Sequence, residues 1–128
     1  MRLLLDTHTA IWLMSKQEKL SSEAKAMLLD RTSTLHVSIV SAWEVAIKTS
    51  LGKLPEFNGG VKTFLAKVKA MPVVLVPITP HHVEIVETLP FIHRDPFDRL
   101  LVATAKVERM TILTADENIH LYDVPFVW

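Results

Sequence analysis

Asp6, Glu44, Asp98 and Asp116 each fall where an apolar, strand-like run hands over to a helical pattern. Asp6 closes Leu3-Leu4-Leu5, and Glu44 lies in the first turns after a second such run. Asp98 opens the strongest helical segment, and Asp116 follows Thr111-Ile112-Leu113. If the strands are parallel, these hand-over points share one edge of the domain and the four carboxylates converge. Converging carboxylates repel one another, and a cation relieves that repulsion. Oxygen-only donors select hard ions such as Mg²⁺ or Mn²⁺. With such an ion the local charge inverts, so a phosphodiester that bare acids would reject becomes acceptable. The chemistry that follows is hydrolysis: one ion activates water, and a second stabilises the leaving oxygen.

Each acid also has a plain structural reading. Asp6 can cap the helix after it. Ser41-Ala42-Trp43-Glu44 fits the capping box, in which Glu44 reaches back to a backbone N–H. In Asp95-Pro96-Phe97-Asp98, Asp95 fits the N-cap, Pro96 the first helical position and Asp98 the first turn. Asp116 can be one more N-cap. These readings explain the residues singly but give no reason for them to meet.

Bringing four acids to one edge requires alternating strands and helices, and the pattern supplies them. Leu3-Leu4-Leu5 reads as a buried parallel strand. Leu35 to Ile39, Val73 to Val76 and Thr111 to Leu113 read as further strands, with Phe126 to Trp128 as an edge strand. Helices are expected over Thr9 to Met14, Leu20 to Leu29 (opened by Ser21-Ser22), Ser41 to Leu51 and Val61 to Ala70. Gly52 is the expected stop of the third, and Pro55 to Gly60 reads as a turn-rich connector. Pro80 to Leu89 and Pro96 to Arg109 complete the long helices, and Asp116 to Leu121 reads as a short one. The fold class that follows is α/β: a three-layer α/β/α sandwich around a mainly parallel sheet.

The 128 residues point to one domain, 1–128, large enough for a proper core. Apolar residues at 49% against 22% charged exclude a disordered chain. No 18-residue apolar stretch exists, so no membrane partner is expected. Met1-Arg2 runs straight into a strand, and no signal peptide is read there. The absence of cysteine excludes disulfides and thiolate metal sites, and fits a cytoplasmic location. Fourteen basic and fourteen acidic side chains cancel, so any hold on nucleic acid must be local or metal-mediated.

The ordered set of motifs resembles the PIN-domain ribonucleases, and more closely the VapC-type toxins of bacterial toxin–antitoxin pairs. Leu3-Leu4-Leu5-Asp6-Thr7-His8 resembles the family's first-strand motif, whose Asp is a metal ligand. Ser38-Ile39-Val40-Ser41-Ala42-Trp43-Glu44-Val45-Ala46 is similar to the segment with the second acid, which falls on Glu44. Asp98-Arg99-Leu100-Leu101-Val102-Ala103-Thr104-Ala105 resembles the helix with the third, on Asp98. Leu113-Thr114-Ala115-Asp116 resembles the last motif, with Asp116 as fourth acid and Thr114 as a supporting polar residue. The resemblance implies Mg²⁺- or Mn²⁺-dependent endonucleolytic cleavage of RNA, a cognate antitoxin protein and a toxin homodimer. Asp95, three residues before Asp98, is a further candidate for the ligand set or its support. The alternatives are an antitoxin-independent PIN nuclease in RNA processing, and a catalytically silent PIN-like binding module.

Other signals carry less. His93-Arg94-Asp95 copies the start of a kinase catalytic loop, but Leu100 stands where that loop needs Asn. Asp6-Thr7-His8-Thr9 faintly resembles a phosphatase nucleophile, whose chemistry normally wants a second acid at the place of His8. Gly59-Gly60 lacks P-loop spacing. His8 and His93 read as hydrogen-bonding or solvated groups. Arg94 and Arg99 can position phosphates, and Arg99 can equally pair with a site carboxylate. Lys48 and Lys53 follow Glu44 and can guide RNA or simply face water. Trp12, Leu13, Trp43 and Ile47 read as core, with an antitoxin groove as the sharper alternative. Phe97, Leu101 and Ala105 have helical spacing and read as core.

Overall fold

Leu3, Leu4 and Leu5 are fully buried because their strand has protein on both faces. The structure, a computed structural model, describes residues 1–128. That strand, β1 (Arg2–Leu5), is the middle of a five-stranded sheet with β2 (Thr34–Ser38), β3 (Val73–Val76), β4 (Thr111–Leu113) and β5 (Phe126–Val127). The order is β3-β2-β1-β4-β5, and every neighbouring pair is parallel. Leu4 lies opposite His36 and Ile112, and Leu5 opposite Val37 and Leu113, so side chains of one register row share a face.

Helices cover both faces. On one, Leu4 and Ile112 pack with Leu101, Val102 and Ala105 of α6 (Pro96–Glu108), beside α5 (Pro80–Thr88) and α7 (Glu117–His120). On the other, Leu5, Val37 and Leu113 pack with Ala10 and Ile11 of α1 (Thr7–Ser15), Ala24 of α2 (Ser22–Leu29) and Phe64 of α4 (Gly60–Ala70). The remaining helix, α3 (Ile39–Ser50), sends Val40 to the first core and Ala42 and Val45 to the second. This is the three-layer α/β/α sandwich that the alternation of elements predicts. No helix is long and apolar enough to cross a membrane.

Local chemistry sets the boundaries. Asp6 caps α1 by accepting the Thr9 N–H, so that helix starts two residues before the expected Thr9. Ser21 caps α2, and a 3₁₀ turn over Gln17–Lys19 precedes it. Ser38 caps α3 through the Val40 N–H, so β2 ends before the expected Ile39, and α3 starts there rather than at Ser41. The capping-box reading of Ser41 and Glu44 therefore fails: both lie inside the helix. Asp95 caps α6 with Pro96 in the first turn, as its position suggests. Gly52 takes a left-handed φ of 66° just beyond α3 and closes it.

Two assignments to the core need correcting. Trp43 is 53% exposed and Ile47 39% exposed. Together with Ile39 and Leu51 they form an exposed stripe at four-residue spacing along α3. Trp12 and Leu13 are half-buried, while Leu101 and Ala105 are buried and Phe97 packs partly against the first core. Phe97 also meets Trp43 edge-to-face, with ring centroids 5.0 Å apart, which ties α3 to α6.

Candidate active site

The chain runs from β1 outward to β2 and β3, then returns to β4 and β5 on the other flank. Between β1 and β4 the winding direction switches, and parallel α/β sheets form their crevices beyond the strand ends at such points. Asp6 stands at the end of β1, and Thr114 follows β4 beside it. The Asp6 N–H reaches the Leu113 carbonyl (3.3 Å), and the Thr9 hydroxyl donates to the same carbonyl (2.9 Å). Thr114 donates its hydroxyl proton to Asp6 Oδ2 at 2.5 Å, while the Thr9 N–H holds Oδ1 at 2.8 Å. The Asp6 carboxylate is thus fixed at both oxygens and almost fully buried. Burial raises its pKa, against the lowering effect of the Thr114 and Thr9 hydrogen bonds.

Glu44 is brought in by the second turn of α3 and is 2% exposed. Its Oε1 accepts the Thr7 hydroxyl at 2.6 Å, and its Oε2 pairs with Lys48 one turn on. Thr7 Oγ1 also lies 2.9 Å from Ser41 Oγ. Thr7 has one proton; given to the carboxylate, it leaves its oxygen to accept from Ser41. Burial alone would lower the Lys48 pKa, but its hydrogen bond to Glu44 and the charges of Glu44, Asp95 and Asp98 outweigh that and raise it. Thr7→Val preserves shape but strips a buried carboxylate of its donor. It should cost about 1–3 kcal/mol of stability, read as a lowered melting temperature. An unchanged melting temperature would show that Glu44 does not depend on Thr7.

Asp98 faces this pair from the first turn of α6 with a side chain 13% exposed. Its pKa is pushed up to about 9, first by burial and then by the negative charges of Asp95, Asp116, Asp6 and Glu44. Four other acids, Asp95 among them, thus bear on Asp98. Asp116 caps α7 through the Asn118 N–H (2.8 Å), and its own N–H donates to Thr114 Oγ1 (3.0 Å). A cavity of about 280 Å³ opens over Asp6 and Asp116, walled by His8, Trp12 and Ala115. A more apolar hollow of about 310 Å³ lies at the other end of the sheet, near the starts of β2 and β3, with Lys25 as its one charged group.

The donor set fits a hard divalent cation in kind: oxygens only, with a negative field left uncompensated at Asp98. The carboxylates are gathered rather than closed on one point, and no three acidic or imidazole side chains are set as ligands of a single ion. Each of Asp6, Glu44, Asp95 and Asp116 is instead turned to its own hydrogen-bond donor. Arg99, expected either to position phosphates or to pair with a carboxylate, makes no ion pair. It donates instead to the Pro90 carbonyl (3.0 Å), the Val86 carbonyl (3.4 Å) and the Tyr122 hydroxyl (3.1 Å). His8 is exposed and stands 3.9 Å from Glu56. His93 bonds to Asp98 and Tyr122. Thr7, Ser41 and Tyr122 were not singled out as site residues from the sequence. Thr7 and Ser41 sit inside the quoted motifs, whereas nothing local marks Tyr122.

Fold and site together define a parallel α/β protein with an acid-walled crevice at its topological switch point. The chain belongs to the PIN domain family, whose model matches residues 3–126. Among solved structures, it is similar to VapBC2 from Rickettsia felis bound to a DNA fragment from its promoter. That match has a TM-score of 0.74 at 15% identity and covers 100% of this chain and 99% of that one. It is also similar to VapBC-1 from nontypeable Haemophilus influenzae (TM-score 0.63, 19% identity, coverage 99% and 97%). FitAcB from Neisseria gonorrhoeae is a third (TM-score 0.61, 18% identity, coverage 98% and 96%). A search of curated protein sequences finds no match.

Proposed function

We propose that this chain is a divalent-metal-dependent endoribonuclease and the toxin of a toxin–antitoxin pair. The observation that carries the reading is the cluster of acids at the switch point of a PIN fold, where burial first, and then the charges of Asp95, Asp116, Asp6 and Glu44, push Asp98 up to about 9. Asp6, Glu44, Asp98 and Asp116 would hold Mg²⁺ or Mn²⁺, and Asp95 either joins them or supports Asp98. A bound ion supplies Lewis acidity toward the phosphodiester and toward the attacking water. The carboxylates orient that water. Thr114 and Thr9 fix Asp6, and Thr7 fixes Glu44, so the acids are positioned before substrate arrives. Lys48, already paired with Glu44, balances part of the negative charge in the metal-free chain.

A protein partner fits the exposed stripe of Ile39, Trp43, Ile47 and Leu51, which an amphipathic segment can cover. One of the similar structures is a toxin–antitoxin complex from Klebsiella pneumoniae, matched at a TM-score of 0.60 and 15% identity. A homodimer and a cytoplasmic location belong to the same reading. Val83 and Phe91 supply further exposed apolar surface on and after α5.

The test is incubation of the purified chain, free of any partner, with a mixed RNA pool and Mg²⁺ or Mn²⁺, beside the same reaction with excess chelator. Internal cleavage that disappears with chelator is the expected result. A folded chain that neither binds metal nor cleaves would favour the binding-module alternative and end this reading.

A further inference from the structure

The loop before α6 carries a histidine that the site as described does not use. The His93 ring lies between two partners. Its Nε2 is 3.2 Å from Asp98 Oδ2, and its Nδ1 is 2.8 Å from the Tyr122 hydroxyl. The imidazole meets the phenol edge-on, with ring centroids 5.5 Å apart. Tyr122 is buried, and its oxygen accepts an Arg99 N–H at 3.1 Å. Arg99 is anchored by the Pro90 and Val86 carbonyls and lies over the Phe91 ring. A chain of contacts therefore runs from a fixed guanidinium through a phenol and an imidazole to a candidate ligand.

Donor counting sets the direction of this chain. A guanidinium only donates, so the Tyr122 oxygen is the acceptor there and its own proton needs another partner. The one acceptor beside it is His93 Nδ1. The ring then carries its proton on Nε2, aimed at Asp98 Oδ2. No other donor reaches the Asp98 side chain. An N–H fixed at one carboxylate oxygen sets the plane of the group and leaves Oδ1 free.

We propose that His93 is a positioning residue: held as its Nε2–H tautomer by Tyr122 and Arg99, it orients the Asp98 carboxylate for a divalent ion. The proposal rests on the reading of Asp98 as an ion ligand. Donors behind metal-binding carboxylates typically contribute 10–100-fold in metal affinity (about that range).

Mn²⁺ binding by the full chain, measured calorimetrically without RNA, tests it with no need for catalysis. His93→Leu should weaken binding by about 10–100-fold, and His93→Gln, which returns an N–H near the Nε2 position, should recover most of the loss. Tyr122→Phe, which frees the tautomer, should weaken binding several-fold. Nitrogen-15 spectra of the native imidazole with Mg²⁺ present should show the proton on Nε2, a readout that stands even if His93→Leu fails to fold. Native-like affinity in the folded His93→Leu and Tyr122→Phe chains would overturn the proposal while leaving the nuclease reading intact. So would a Gln variant no better than Leu, or a proton on Nδ1. A native chain that binds no Mn²⁺ would overturn both.

Discussion

Asp6→Asn should abolish metal-dependent RNA cleavage, lowering the rate by about 1,000-fold or more while the protein stays folded. The scale follows from the several kcal/mol that metal-assisted charge stabilisation supplies, at about 1.4 kcal/mol per tenfold in rate. Asp6 is the acid for which the substitution is cleanest. Asparagine keeps the side-chain shape, and its amide oxygen still accepts the Thr9 N–H that caps α1. The amide NH₂ then faces Thr114 Oγ1 in place of the acceptor Oδ2, which Thr114 can tolerate by turning its own proton away. What is lost is the negative charge at the centre of the switch-point crevice. Cleavage by the native and Asp6→Asn chains, compared at matched circular dichroism and melting behaviour, measures the effect. A folded Asp6→Asn chain with a tenth or more of native activity would remove Asp6 from the ligand set.

Much of this arrangement is legible in sequence because it depends on local pattern. Short apolar runs such as Leu3-Leu4-Leu5 and Val73 to Val76 must be covered on both faces, and helical segments between them force parallel connections. Parallel strands place their carboxyl ends at one edge, which puts Asp6 and Asp116 on the same side of the sheet; that β1 and β4 are adjacent is set by the strand order, which local pattern does not give. Asp95 and Pro96 mark the start of α6 through cap chemistry that needs no tertiary information.

The failures share a different cause. Hydrophobic spacing reports which residues avoid water, not what covers them, so Trp43 and Ile47 read as core although the fold leaves them exposed. Ser41 and Glu44 match a capping box, but Ser38 offers an equally good cap three residues earlier and takes the position. Freed from that role, both side chains meet Thr7, 34 and 37 residues away in the chain. Arg99 is one residue from Asp98, yet its helical direction carries it to the carbonyls of Pro90 and Val86. Spacing alone cannot supply such directions.

The acid field also makes a prediction about stability, with a sign opposite to its effect on activity. In the folded, metal-free chain the Asp98 pKa is about 9, whereas an unfolded aspartate titrates near 3.9 (about the model value). Between those limits the folded state holds a proton that the unfolded state has released, so stability falls as pH rises through this window. The metal-free native chain should therefore melt at a higher temperature in mildly acidic than in mildly alkaline buffer. Asp98→Asn is neutral throughout and cannot repel Asp95, Asp116, Asp6 or Glu44. In alkaline buffer with chelator it should be more stable than the native chain by about 1–2 kcal/mol, and near the unfolded carboxylate range the difference should vanish. Excess Mg²⁺ should reverse the order, because an ion that binds only the folded native site stabilises it in proportion to its affinity. Melting curves of both chains at two pH values, with chelator or Mg²⁺, contain the whole comparison. If Asp98→Asn gave no gain in alkaline, metal-free buffer, burial and the four neighbouring acids would not be acting on Asp98, and the strain that invites a cation would have to be sought elsewhere. If the gain appeared and Mg²⁺ reversed it, the fold would be shown to hold repelling charges together for the ion that neutralises them.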